Sequence, residues 1–577
     1  MIRKLKYILP AVLLFTACKK QLDINTDPNN PAEVAVSKLL PRVEQSLGNS
    51  LVSGSTDTES GLTQILGTYM HQFSTRENPD QYGAVGSDFT LQTSWTTMYG
   101  SVLANADNII TSSTAAGNLK YAGIGKILKA YAFSQYVDVF GDVPYSEFNK
   151  LKEGILNPKF DKGADIYPSL MTLLNEAIAD LNNTTATNVL VPGADDVIYG
   201  GKIANWVKAA NTIKLKLLIQ QRLVKDVSTE VKALLAAPAG LISKTDESFL
   251  LPYGVNGSTD DRNIGFSDYY ASQRGQYISP WFYEILKGYN KYVNTGITDP
   301  RIPYYFFNQL KPTQKPESDQ LVEYRDNGFV SIYFGSVGPD RDRTQQNNMT
   351  LVGMYPVGGR YDDGQGKDGV AGSKISASSA TGAAPYRFIT YADRLYLEAE
   401  AISVGIATGD AKAVFKSAVE ESFKQVDYVI STYVKSSQTV PALVGTAAVT
   451  TYVDNVLAKY DAAPAGGSPP TTVTKLGYIM TQKWISSFGS SVDQYTDYRR
   501  TGYPILFNPK DENMAPGGFV QPPVAGNPVK NPQNKVEVQL NRNFPLTLPW
   551  YSTELETNSK APAQKTDPST YKPFWLP

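Results

Sequence analysis

The sequence predicts a mainly α fold: a scaffold of paired helices, interrupted once by a loop-rich insert with short strands. Three observations carry this. Apolar residues recur at three- and four-residue spacing through 33–236 and again through 391–500, the period of a helix with one buried face. Between them, 237–390 is rich in Gly, Pro, Asp, Asn and Tyr, a composition of turns rather than helices. The helical segments run about 12 to 20 residues and follow one another closely, as in stacked helix pairs.

Each element follows from local signals. In NPAEVAVSKLLPRVEQSL, Asn30 can cap a helix and Pro31 suits its first position. Leu39, Leu40, Val43 and Leu47 share one face. Further helices are expected at 58–75, 89–112 and 119–140; in the last, Ile124, Ile127, Leu128, Tyr131 and Phe140 form the apolar stripe and Gly141 can end it. The same period places helices at 164–182, 203–224 and 228–236, and then at 391–404, 410–432, 447–460, 473–488 and 493–500. Short strands fit 248–253, 329–334 and 350–356, and the tail, 503–577, is Pro-rich and irregular.

Composition narrows the chemistry. The 577 residues carry 54 basic and 55 acidic side chains, with no Lys/Arg block beyond the first residues; nucleic-acid binding has no electrostatic footprint. The one histidine, His71, lies on the expected 58–75 helix and reads as a packed or surface residue. A histidine-ligated zinc site cannot be built from one His and one Cys. No cofactor is expected. In RYDDGQGKDGVAG, Asp362, Asp363 and Asp368 stand among glycines, as in a calcium loop, but the final glutamate of such a loop is missing; a surface loop is the preferred reading.

The one cysteine, Cys18, follows a basic start (Arg3, Lys4, Lys6), an apolar run from Tyr7 to Ala17, and the small residues Thr16 and Ala17. That is the pattern of a secretory signal peptide, too short to span a bilayer, which takes about 20 residues. The position of Cys18 resembles a bacterial lipobox, in which the thiol is lipidated and the chain is cut before it. The alternative is a cleaved peptide with an incidental cysteine. The expected organisation is a signal peptide at 1–17, a lipidated flexible tether at 18–32, and a single domain at 33–577: helical 33–236, insert 237–390, helical 391–500, tail 501–577.

Several motifs in order resemble the SusD/RagB-like outer-membrane lipoproteins of Bacteroidetes-type bacteria, in the SusD-like 2 branch. These are DINTDPNNP (23–31), TSWTTMYGSVLANADNII (93–110), DVFGDVPYSE (138–147), VIYGGKIANWVKAANTIKLKLL (197–218), YADRLYLEAEA (391–401), and TQKWISSFG with YRRTGYP (481–489, 498–504). Thr212, Asp393, Glu398 and the pair Asp497-Tyr498 depart from the family pattern. The resemblance implies a tetratricopeptide-like scaffold with an irregular half packed on it. It implies a non-enzymatic surface lipoprotein of the outer membrane that captures a nutrient, most often an oligosaccharide. It also implies a SusC-like TonB-dependent transporter as partner, with the lipoprotein as its lid. A surface glycoside hydrolase and a peptide- or protein-binding helical-repeat lipoprotein remain as alternatives.

Motif residues read as scaffold. Trp206 and Trp484 sit mid-helix with apolar neighbours; Arg499 and Arg500 can fasten a helix to the tail through a carboxylate or helix-end carbonyls; Gly141, Asp142 and Pro144 read as a turn. The ligand candidates lie elsewhere. Residues 249–307 hold 15 aromatics in 59 positions, against 11% for the whole chain. Within them Tyr269, Tyr270, Tyr277, Trp281, Tyr289 and Tyr292 stand among Asp268, Gln273, Arg274, Gln276 and Asn290. Flat rings beside amides, carboxylates and a guanidinium suit a sugar or a peptide, though such rings also serve as core in loops poor in Leu and Val. Trp95 and Tyr99 are the further candidates for the same face.

Overall fold

A computed structural model of the chain describes residues 34–54, 61–75, 82–255, 260–270, 276–314, 323–339, 341, 347–369, 380–469, 472–508, 511, 514, 519–520 and 536–577. Cys18, Asn30, Pro31, Gln273 and Arg274 lie outside the described residues.

The first helical half contains α1 (Val36–Leu51), α2 (Thr63–Tyr69), α3 (Phe89–Thr96), a π-helical stretch (Thr97–Leu103), α4 (Ala104–Ala115), α5 (Leu119–Phe140), α6 (Gly163–Asn182), α7 (Ile203–Gln221) and α8 (Ser228–Leu235). In α5 nearly every side chain from Tyr121 to Phe140 is buried, as for a helix surrounded by others. It packs against α4 on one side and α6 on the other. Gly123 permits the second contact, since a Cβ there would stand 2.7 Å from Leu181 Cγ. Gly141 ends α5 at φ +78°, a conformation that only glycine enters at low cost.

The expected 58–75 helix is corrected at its end. α2 stops at Tyr69, and Phe73–Thr75 is a strand paired antiparallel with Gln276–Ile278. Between them His71 adopts φ +52°, which breaks the helix. The single helix expected over 89–112 is re-phased by the π stretch, which adds a residue per turn there.

The insert holds short strands, most of them in two-strand pairs, while Ser336–Val337 is the edge of a three-stranded sheet with Val536–Val538 and Phe519–Val520 of the tail. Phe249–Leu251 joins Tyr386–Ile389, Phe306–Phe307 joins Leu351–Val352, and Tyr324–Asp326 joins Phe329–Ser331. Of the expected strand 350–356, the end is a helical turn at Met354–Val357. The insert also holds a two-turn helix, α9 (Pro280–Lys287), that periodicity does not reveal. Rings fill its core: Tyr283 stacks on Phe329 at 3.7 Å between centroids, and Phe282 meets Trp484 at 4.8 Å.

The second helical half is α10 (Tyr391–Ser403), α11 (Ala411–Val429), α12 (Ala447–Ala462), α13 (Lys475–Ser486) and α14 (Ser491–Thr501). α10 pairs with α11 and α13, α11 with α12, and α7 contacts α10, which joins the two halves. Asp393 closes a capping box on Thr390 at the start of α10, so the shorter carboxylate still serves the role. Trp206 is buried and its Nε1 donates to Asp196 Oδ2 at 2.8 Å. Trp484 is buried and donates to the Met70 carbonyl at 3.1 Å. Arg222, at the end of α7, donates to Glu400 of α10 at 2.8 Å. Arg500 of α14 donates to both Glu400 oxygens and to Asp497. Arg499 donates to the Asp138 and Leu546 carbonyls at 2.7 and 2.6 Å, tying α14 to α5 and the tail. The tail returns to the end of α5: Trp550 donates to the Asp142 carbonyl, Lys565 to that of Phe140, and Trp575 to the Asp138 carboxylate.

Candidate functional site

The aromatic stretch divides into rings that build the insert and rings that reach its surface. Tyr277 is fully buried on the strand paired with Phe73–Thr75. Tyr269 stacks on Phe266 at 4.7 Å; its hydroxyl donates to the Val352 carbonyl and accepts from the Arg360 amide. Trp281 is 8% exposed and donates to the Ile505 carbonyl at 2.9 Å. Trp95 is buried against Tyr99, Tyr136 and Phe140. These four were candidate contacts, and the structure places them in the core: Tyr277 by its strand pairing, Tyr269 and Trp281 by hydrogen bonds of their polar atoms to backbone, and Trp95 by the rings around it. Tyr270 remains 49% exposed, with the Arg262 guanidinium 4.6 Å from its ring centroid. Tyr289 is half-buried beside Asp326 and Lys287; burial, then the Asp326 charge, pushes its hydroxyl up to about 12.

Tyr292 is brought to the surface by a short chain of causes. Ser279 is extended and Pro280 opens α9, its fixed φ suited to a first helical turn. Gly288 ends α9 at φ +74°, where a Cβ would meet the Ile297 amide at 2.6 Å. The loop returns through Gly296 N to the Gly288 carbonyl at 2.8 Å. Inside it the Asn290 amide oxygen accepts from the Tyr292 and Val293 amides at 2.9 and 3.1 Å. This turn is a local Asx device, and it carries Lys291 and Tyr292 outward.

There they form one wall of an open groove of about 390 Å³. The other walls are Lys459 and Ala463 at the end of α12, Thr472 and Val473 before α13, and Tyr478 within it. The groove therefore lies where the insert meets the second helical half. Trp281 backs Tyr292 at 6.2 Å, and the Lys291 ammonium stands 5.2 Å from the Tyr292 centroid. The Tyr292 hydroxyl is buried without a hydrogen-bond partner among the described residues, so what it offers is its ring. Such a site supplies an aromatic platform, two ammonium groups and hydroxyls, and among the described residues its lining holds no Asp or Glu.

A second open cleft, of about 470 Å³, lies between Tyr82 and the tail, with Arg542, Asn543, Asp567 and Ser569 on its rim. His71 sits behind it, its Nε2 2.8 Å from the Tyr82 hydroxyl. Burial holds that imidazole down to about 3, which leaves it neutral. The three aspartates of 360–372 do not converge. Asp362 accepts from Asn308, Asp363 caps Gln365, and Asp368 pairs with Lys311. Among the described residues no group of three or more His, Cys, Asp or Glu is arranged to hold a metal ion.

The SusD-like 2 family, described as starch-binding and associating with the outer membrane, matches residues 28–521. The chain belongs to this family. Its members are nutrient-binding outer-membrane proteins, and the mainly α, tetratricopeptide-like fold fits them. Solved structures agree in fold. A chitin-binding protein is 20% identical, with 91% of this chain and 95% of that one aligned at a TM-score of 0.62. A SusD homologue from Bacteroides uniformis is 19% identical, with 93% and 99% aligned at 0.60. A SusD/RagB family protein from Bacteroides thetaiotaomicron is 20% identical, with 92% and 95% aligned at 0.62. No curated protein matches the sequence. Among the described residues no helix is long and apolar enough to cross a membrane.

Lys459, Thr472, Val473 and Tyr478 were not among the expected contacts. The one signal near them is APAGGSPPT, a Pro- and Gly-rich connection between two helices, which marks a loop and carries no ligand chemistry by itself.

Proposed function

We propose that this protein is a non-enzymatic, lipid-anchored nutrient-capture protein on the outer face of the outer membrane. It binds an oligosaccharide in the groove at Tyr292 and delivers it to a TonB-dependent transporter barrel, over which it acts as a lid. Lipid on Cys18 anchors it, and the tether at 18–32 lets it hinge on the domain at 33–577. The observation that carries the reading is an open, ring-walled groove at the junction of insert and helices, in a chain of a starch-binding, outer-membrane-associated family. A saccharide presents weakly apolar C–H faces to a ring and hydroxyls to polar neighbours; Tyr292, Tyr270 and Tyr289 are the exposed or half-exposed rings that can receive them. Binding rather than hydrolysis is favoured, since glycoside hydrolysis uses two facing carboxylates and the groove lining has none among the described residues.

Purification from outer membranes in mild detergent tests the transport role. A large β-barrel receptor in stoichiometric amount is the expected companion. Recovery of the protein alone would remove the transporter from the proposal.

A further inference from the structure

Among the described residues, large apolar side chains that face solvent stand singly or in pairs, with one exception. Val189, Leu190 and Val191 are consecutive and are 80%, 48% and 60% exposed. They lie in the connection between α6 and α7, and their backbone is tied down. The Asn188 amide donates to the Gly117 carbonyl at 3.0 Å, the Leu190 amide to Asn118 Oδ1 at 3.0 Å, and the Lys120 amide to Asn188 Oδ1 at 3.1 Å. The loop is thus fixed to the corner between α4 and α5 while it presents three aliphatic side chains to water, which costs free energy. The same corner holds the start of the described chain. α3, the π stretch and α4 form one continuous run, Phe89–Ala115. α1 packs along it in the opposite direction: the Ser50 carbonyl, near the end of α1, accepts from Ser94 Oγ, near the start of the run, at 2.8 Å. The first turn of α1 therefore lies toward Ala115 and the loop, and farther along the Val197 amide donates to Glu44 Oε2 of α1 at 2.8 Å. Val34, just before α1, is 50% exposed. Residues 18–33 separate it from Cys18, a length of at most about 55 Å when fully extended.

We propose that the Val189–Leu190–Val191 loop is a second membrane contact, seated in the lipid surface beside the acyl anchor. The inference rests on Cys18 being lipidated. The tether joins the domain at the end of the helical layer where the loop projects, so the anchor brings that end to the bilayer. The exposed tip is purely aliphatic, which suits hydrocarbon; protein interfaces instead favour aromatic rings, methionine and arginine. The Asn188 and Leu190 amides already have acceptors, so entering lipid does not leave them unpaired. A backbone fixed beforehand also loses little freedom on insertion. Two points of attachment set the orientation of the domain on the membrane, which one lipidated residue at the end of a tether does not.

The test reconstitutes the full-length, acylated protein on vesicles of brominated phosphatidylcholine, whose bromines quench indole fluorescence at short range; plain phosphatidylcholine vesicles give the reference. All six tryptophans are buried, so the parent protein sets a low baseline. Leu190→Trp puts a reporter in the loop. Tyr571→Trp puts one at the other end of α5, which is about 33 Å long: Tyr571 is exposed and lies 6.4 Å from Trp550, whose indole donates to the Asp142 carbonyl. A side chain seated about 5–10 Å into the acyl boundary meets the bromines, so Leu190→Trp should lose roughly half or more of its added signal and Tyr571→Trp none. Adding Val189→Ser and Val191→Ser to the Leu190→Trp reporter should remove most of that quenching, which assigns the contact to the native side chains and not to the new indole. All are surface changes, and circular dichroism checks the fold. If vesicle-bound protein shows no quenching at Leu190→Trp, equal quenching at both ends, or quenching indifferent to the serines, the loop contact is overturned and the anchor stands. If in addition the two serines release a co-purifying β-barrel, the patch is a protein contact instead. If the protein carries no acyl chain or does not sediment with vesicles, the anchor falls and this inference with it.

Discussion

Arg500 grips Glu400 with two parallel hydrogen bonds, Nη1 to Oε1 at 2.7 Å and Nη2 to Oε2 at 3.1 Å, both side chains being buried. The pair joins two family motifs that are 100 residues apart. Arg222 reaches the same carboxylate, and Lys483 meets Asp497, which Arg500 also holds. Burial alone would raise Glu400, but Arg500 and Arg222 override it and hold the carboxyl down to about 2.

Arg500→Ala should therefore cost about 3–5 kcal/mol, because a buried carboxylate loses its main partner. Urea unfolding measures it. Arg500→Lys should recover only part, since an ammonium lacks the planar fork. The stabilising contribution of Glu400 is present above the unfolded value near 4.3 and is lost as pH falls toward about 2. A variant as stable as the parent would show that the network is not structural.

Asp138 has the opposite sign. Burial pushes its carboxyl up to about 6, against the lowering effect of Lys216, the Tyr167 hydroxyl and Arg499. Its favourable contribution is present below the unfolded value of about 3.9 and is lost as pH rises through about 6. Asp138→Asn should flatten thermal stability between pH 4 and 6 while Trp575 keeps an acceptor. An unchanged slope in that window would reject the assignment.

Two tyrosines in the same stretch should behave differently. Tyr292→Ala should lower oligosaccharide affinity about tenfold, equivalent to roughly 1.4 kcal/mol, with little change in stability. Tyr277→Ala should cost about 3–5 kcal/mol of stability through the cavity it leaves. Calorimetry and thermal unfolding on both variants separate ring-as-contact from ring-as-core, and reversed results would move the site.

Cys18→Ala should shift the protein from the membrane pellet to the soluble fraction, since acyl chains contribute about 0.8 kcal/mol per buried methylene. Retention in the pellet without acylation would exclude lipid as the anchor.

Much of the helical framework is legible in the sequence, because a 3.6-residue stripe reports a buried face directly. α5 was delimited at Leu119–Phe140 by its stripe and by Gly141. The strand Phe73–Thr75 was not legible, since its partner, Gln276–Ile278, is some 200 residues distant and nothing local distinguishes it from a helix end. α9 has only two turns, too few for a period to emerge among Gly and Pro. The candidate groove was only partly legible. Composition located the aromatic stretch, but Tyr277 and Tyr292 are the same residue type. What separates them is a strand pairing in one case and the Asn290 turn in the other. The opposite wall, Lys459 and Tyr478, comes from helices far along the chain, and only folding brings it near.

The clasp between Trp575 and Asp138 spans 437 residues, and that from Gln72 to the Trp484 carbonyl spans 412. Early segments thus lack their partners until very late segments exist, and such distant closures are slow. During synthesis, α5 waits with its end uncovered. Premature compaction is thus discouraged by the wiring of the fold itself, which closes its two ends only when the last residues of the chain are in hand.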